Sequence, residues 1–188
     1  MNAGNINDQG YGTFTKVLHW GMALMVMILI AVGTYMADLD KADPNKMELM
    51  GMHKSFGAIF LMLAIIRVIW NRISHTPELP AVLTPWEKNL SKTVTATMYL
   101  LMMAIPFSGY AMTNLFGYPV SLFGLIDLPA LFDKNIEIAK LAKQAHPLLV
   151  YALLVAMFVH IVGALKHRFI DARDADVLPR MMSIKPRP

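Results

Sequence analysis

The chain contains no cysteine. That excludes disulfides, thiolate zinc sites, cysteine-ligated iron–sulfur clusters and haem attached through a C-x-x-C-H motif. Any metal or cofactor must therefore be held by histidine, methionine, carboxylate or backbone groups. Charge is also scarce. Only 16% of the 188 residues are charged, against 56% hydrophobic, where a soluble domain carries about 25% charged residues. The mean hydropathy is +0.47, and the apolar residues are gathered into long blocks. Together these features indicate a polytopic membrane protein, a single membrane domain over 1–188 with no internal repeat or low-complexity tract.

Four apolar spans stand out, at about 17–37, 50–70, 94–114 and 147–166. Each is near the ~20 residues that a helix needs to cross the hydrocarbon core. Lipid offers the backbone no hydrogen-bond partner, and barrel-type alternation is absent, so the spans are helices. The expected fold class is all-α, a transmembrane four-helix bundle. The first run, "KVLHWGMALMVMILIAVGTYMA", is longer than a signal-peptide core and no A-x-A cleavage pattern follows it, so it is an anchor. Pro106 falls inside span three and predicts a kink there.

The net charge of +4 does not indicate nucleic acid, because the basic residues lie in short segments flanking the spans. One set of segments carries Lys16, Arg67, Arg72, Lys88, Lys92, Lys166, Arg168, Arg173, Arg180, Lys185 and Arg187; the other carries Lys41, Lys46, Lys54, Lys134, Lys140 and Lys143. By the positive-inside rule both termini, the loop after span two and the tail 169–188 are expected in the cytoplasm. Loops 38–47 and 115–144 then face the other side, which in a bacterium is the periplasm. "HTPELPAVLTP" reads as an extended connector. "DKNIEIAKLAKQ" reads as a short, solvated mixed-charge helix on the outer surface, ahead of span four.

The six histidines are His19, His53, His75, His146, His160 and His167. All but His75 fall within or at the ends of spans, and ionisable residues there are costly and usually functional. Topology assigns their depth. His19 and His160 belong to the inner layer, His53 and His146 to the outer. His146 and His160 are 14 residues apart, close to four helical turns, so both project from one face at levels about 21 Å apart. His53 and Arg67 repeat that spacing on span two. Two facing imidazoles in an apolar bundle are what a bis-histidine b-type haem requires. Two histidines per layer without an acidic or thiolate companion make a poor zinc site. The group Met47, Met50, Met52 and His53 suits Cu(I), but with 16 methionines in the chain core filling is the simpler account.

These residues resemble the bacterial cytochrome b-561 family, small four-helix di-haem proteins of the inner membrane. The resemblance rests on "LHW" in span one, "MHKSFGAIFLMLAIIRVIW" in span two, "QAHPLLVYALLVAMFVHIVGALKHRF" in span four and "DVLPRMM" near the end. It implies that His19 and His160 hold one haem b, and His53 and His146 the other, which agrees with the depth pairing. Pro147 directly follows His146 and disfavours helical geometry at that residue. Either span four begins there or the ligand sits at a kink.

The resemblance also implies a quinone site near the inner haem, where His167 either bonds a ubiquinone carbonyl or faces lipid headgroups. Arg67 either pairs with a haem propionate or snorkels to phosphate. Two redox functions follow. In one the protein is itself an oxidoreductase, passing electrons from superoxide outside to ubiquinone inside, as one family branch suggests. In the other it is an electron-transfer subunit for a separate periplasmic redox protein docked on the outer loop. A non-redox scaffold with structural histidines is the third reading.

Overall fold

The computed structural model describes residues 10–182 and Ile184; Lys185 and Arg187, counted above among the inner basic residues, lie outside that set. Four long helices dominate: α1 (Thr13–Asp38), α2 (Pro44–Ile73), α3 (Pro85–Leu115) and α4 (Ile136–Phe169). All four are long and apolar enough to cross a membrane. Between α3 and α4 lies a small antiparallel hairpin, β1 (Val120–Leu122) and β2 (Ile126–Leu128). The tail adds a 3₁₀ turn, Arg173–Ala175, and the short helix α5 (Leu178–Met181).

The helix starts follow local chemistry. Asp43 caps α2 by accepting from the Asn45 N–H, with Pro44 in the first turn. α3 opens on a capping box: the Thr84 hydroxyl accepts from the Glu87 N–H while the Glu87 carboxylate accepts from the Thr84 N–H. Asn135 caps α4 through the Ile138 N–H.

That last cap corrects two expectations. "DKNIEIAKLAKQ" is not a separate surface helix, since from Ile136 onwards it forms the first turns of α4. Nor does helix four begin at Pro147, which lies well inside it. Membrane helices tolerate an interior proline because neighbouring groups satisfy the freed carbonyl. The expected mixed charge is present, with Lys140 and Glu137 forming an exposed ion pair at 2.9 Å.

The closest packing is of α3 along α4, α1 along α2 and α2 along α3. Met22 and Val26 of α1, Phe60 and Ala64 of α2, Leu101 of α3 and Leu153 of α4 form the buried core. Much of the remaining apolar surface is exposed, for example Leu24, Leu100 and Val155, as lipid-facing helices require. α1 and α4 stand further apart than the packed pairs, and so do α2 and α4. Those two gaps matter below.

Both described chain ends meet at one end of the bundle, here called inner. The Tyr11 N–H donates to the Arg180 carbonyl, the Trp20 indole to the Met181 carbonyl, and Arg180 to the Glu78 carbonyl.

At the outer end the hairpin lies against α2. Its turn places Phe123 and Gly124 at φ 53° and 71°, the positive values of a tight hairpin turn. Phenylalanine is disfavoured there, and two contacts offset the cost. Its ring stands edge-on to Phe56 with centroids 5.2 Å apart, and its N–H donates to Ser55 Oγ at 2.9 Å. Ser55 is fully buried and its hydroxyl also lies 2.9 Å from the Gly51 carbonyl and 3.1 Å from that of Ser121. Ser55→Ala removes the acceptor of the part-buried Phe123 N–H and is expected to cost about 1 kcal/mol. The check is faster amide exchange at Phe123 together with a lower melting temperature in detergent.

Candidate cofactor sites in the helix bundle

Four of the histidines form two facing pairs. His19 of α1 and His160 of α4 have ring centroids 6.4 Å apart at an interplanar angle of 56°. His53 of α2 and His146 of α4 are also 6.4 Å apart, at 77°. These are the pairings drawn from depth, and each bridges two helices that are not closely packed. Rings joined directly by an N–H···N bond would stand closer. A metal accepting one nitrogen from each ring at about 2 Å suits the separation.

The surroundings of the outer pair are built for the imidazoles. A Cβ placed on Gly33 would stand 3.0 Å from His53 Cε1, and one on Gly109 would stand 3.3 Å from His146 Cε1. Glycine is what leaves room for each ring. Ser108 Oγ lies 2.6 Å from the Ile105 carbonyl and 2.8 Å from His146 Nδ1. If the hydroxyl donates to the carbonyl, it accepts from Nδ1–H, and the lone pair of His146 is left on Nε2. A ring nitrogen fixed in this way is the usual support for a metal-ligating histidine. His53 Nδ1 is buried with no hydrogen-bond partner among the described residues, the kind of group that calls for a ligand or water.

At the inner pair, an open cleft of about 90 Å³ is lined by His19, His160, Arg67, Val26, Met98 and Tyr99, among others. Arg67 points into it. Its guanidinium donates to His19 Nδ1 at 2.9 Å and stands 5.8 Å from the Tyr99 ring centroid, and its Nε is buried with no hydrogen-bond partner among the described residues. The guanidinium therefore turns towards the inner histidine pair.

His167 does not face headgroups alone. Its Nδ1 lies 2.6 Å from the Asp171 carboxylate. Lys166 Nζ bridges that carboxylate at 2.8 Å and Glu87 of α3 at 2.7 Å. Hydrogen bonds from Lys166 and then from His167 hold the Asp171 carboxyl below its ordinary range. His75 lies in the connector and joins neither pair.

Sequence reasoning missed Gly33, Gly109, Ser108 and Asp171. Two signals were present: a small Ser108–Gly109 pair in the one span without histidine, and an acid four residues after His167.

A bundle of four membrane helices with paired histidines in its gaps has the form of a b-type membrane cytochrome. A family model described as prokaryotic cytochrome b561 matches residues 10–183, and the chain belongs to that family. It is 33% identical over 172 residues to "Cytochrome b561 homolog 2" of Escherichia coli (strain K12), covering 92% of this chain and 90% of that protein. It is 26% identical over 170 residues to "Probable superoxide oxidase CybB" of Yersinia pestis, covering 89% and 93%. The chain is thus a bacterial multi-pass inner-membrane protein of a haem b family whose role is membrane electron transfer.

Proposed function

We propose that the chain carries electrons across the inner membrane through two haem b groups, from a donor at the periplasmic face to ubiquinone at the cytoplasmic face. The observation that carries this reading is the matched pair of imidazole separations, 6.4 Å in each layer. His19 and His160 hold the inner haem, His53 and His146 the outer. Haem supplies one-electron chemistry when bound; the protein supplies ligands, spacing and a low dielectric.

Each residue has a definable task. Ser108 keeps the proton of His146 on Nδ1, so that Nε2 faces the metal. His19 ligating through Nε2 needs a proton on Nδ1, which obliges Arg67 to release its present bond. The freed guanidinium then suits the propionates. His167 bonds a quinone carbonyl at the inner rim.

For the donor we favour superoxide, the substrate in the printed name of the Yersinia pestis relative. Two superoxide anions give up one electron each and leave as dioxygen, while one quinone takes both electrons and two protons. A second reading, a periplasmic redox protein as donor, is favoured by the apolar outer hairpin, where Leu125 is 84% exposed and Ile126 63%. The test is a superoxide pulse on the purified, oxidised protein. Haem reduction within the pulse, followed by reoxidation on adding ubiquinone, is expected. Haems that stay oxidised until a periplasmic extract is added would favour the subunit reading.

A further inference from the structure

The inner rim carries a polar cluster that ligand-holding alone does not explain. His167, Asp171, Lys166 and Glu87 converge from α4, from the chain just beyond it and from α3. We propose that Asp171 and His167 form the proton-delivery dyad for quinone reduction, with His167 handing the proton over and Asp171 as the positioning residue. This rests on the quinone reading above and assigns the source of its protons.

Three observations support it. First, the 2.6 Å contact between His167 Nδ1 and Asp171 commits Nδ1 to the carboxylate and leaves Nε2 to meet a carbonyl. A carboxylate so placed fixes the tautomer and steadies the ring when it takes up a proton. Second, Asp171 is itself held. Lys166 Nζ lies 2.9 Å from one of its carboxylate oxygens and 2.8 Å from the other, and Glu87 anchors the ammonium from α3. Its carboxyl stays below the ordinary range, so it remains an anion in neutral solution. Third, a cavity of about 220 Å³ reaches Asp171 and Glu87, walled otherwise by Val82, Leu83, Ala172 and Ala175. That cavity is large enough for several waters and brings them to the Asp171 carboxylate that positions His167.

The chemistry balances. A quinone would receive two electrons, which bound haem would supply one at a time. It receives two protons, one on each carbonyl oxygen, and leaves as quinol. Each proton given from His167 Nε2 is replaced from solvent, while the Nδ1 proton stays against Asp171.

The bland alternative is a structural ion-pair cluster tying α3 to α4. Stopped-flow reoxidation of the reduced holoprotein by ubiquinone-1, in detergent, separates the two. With Asp171→Asn the maximal rate is expected to fall about 10²-fold, the low end for lost acid–base assistance. Half-saturation and both haem spectra should stay unchanged, and Asp171→Glu should restore most of the rate. Glu137→Gln, which removes the exposed ion pair to Lys140 at the other end of α4, should keep the maximal rate. For the unmodified protein, the saturated rate should be slower in D₂O.

Several results would overturn the dyad. A wild-type rate in Asp171→Asn would do so, as would equal slowness in Asp171→Glu or no change in D₂O. Those outcomes leave the quinone reading standing. Failure of ubiquinone-1 to reoxidise the unmodified protein sinks the quinone reading and the dyad with it.

Discussion

His19→Ala and His160→Ala are each expected to lose the same haem and to keep the other. The two residues lie 141 positions apart in sequence, on α1 and α4, and their rings face each other 6.4 Å apart. A metal between two imidazoles loses one of its two protein bonds when either ring is removed, and a b-type haem has no covalent tether to keep it in place. Haem content should therefore drop to about half in each variant, with the same spectral component missing. The double variant should look like either single one. His53→Ala and His146→Ala should remove the complementary component. Loss of different components from His19→Ala and His160→Ala would refute the pairing. The wide spacing of the two levels on α4, about 21 Å, is why one layer should survive damage to the other.

Gly33→Val is the second large effect. A Cβ at that position already approaches His53 Cε1 to 3.0 Å, tighter than most packed carbons. Even Gly33→Ala must push the ring by a few tenths of an ångström. Valine adds two methyl groups on a stiff branch and forces the ring out of line. Outer haem should be lost in Gly33→Val and its potential shifted in Gly33→Ala, with the inner haem unaffected in both. Gly57→Ala is the control, because a Cβ there meets nothing within 4 Å. Spectral titration of the three variants gives the answer. An intact outer component in Gly33→Val would mean that His53 does not need its present position.

The bundle was legible because membrane helices announce themselves by length and hydropathy, which lipid imposes on every span. The spans at 17–37 and 50–70 differ from α1 and α2 only by polar turns at their ends. The start of α4 was misread for a physical reason. Its first ten residues are amphipathic and charged, so hydropathy sees the span only from Pro147. The Asn135 cap, which sets the true start, is a single hydrogen bond. The hairpin escaped notice because its strands have three residues each and their position depends on Ser55 of another element.

The histidine pairs were readable because helical periodicity and topology together give depth. What supports each ring was not, because it comes from other helices. Nothing local marks Gly33 as the residue facing His53, or Ser108 as the partner of His146. Arg67 shows the same limit: its 14-residue spacing from His53 gave its level, and only the fold revealed that it turns towards His19.

The most direct test of the central claim is a pyridine haemochrome assay on the purified chain, paired with a redox titration of the same sample. Two haem b per chain, titrating as two components, is the expected result. One haem per chain, or a single component that vanishes in all four histidine variants, would contradict it.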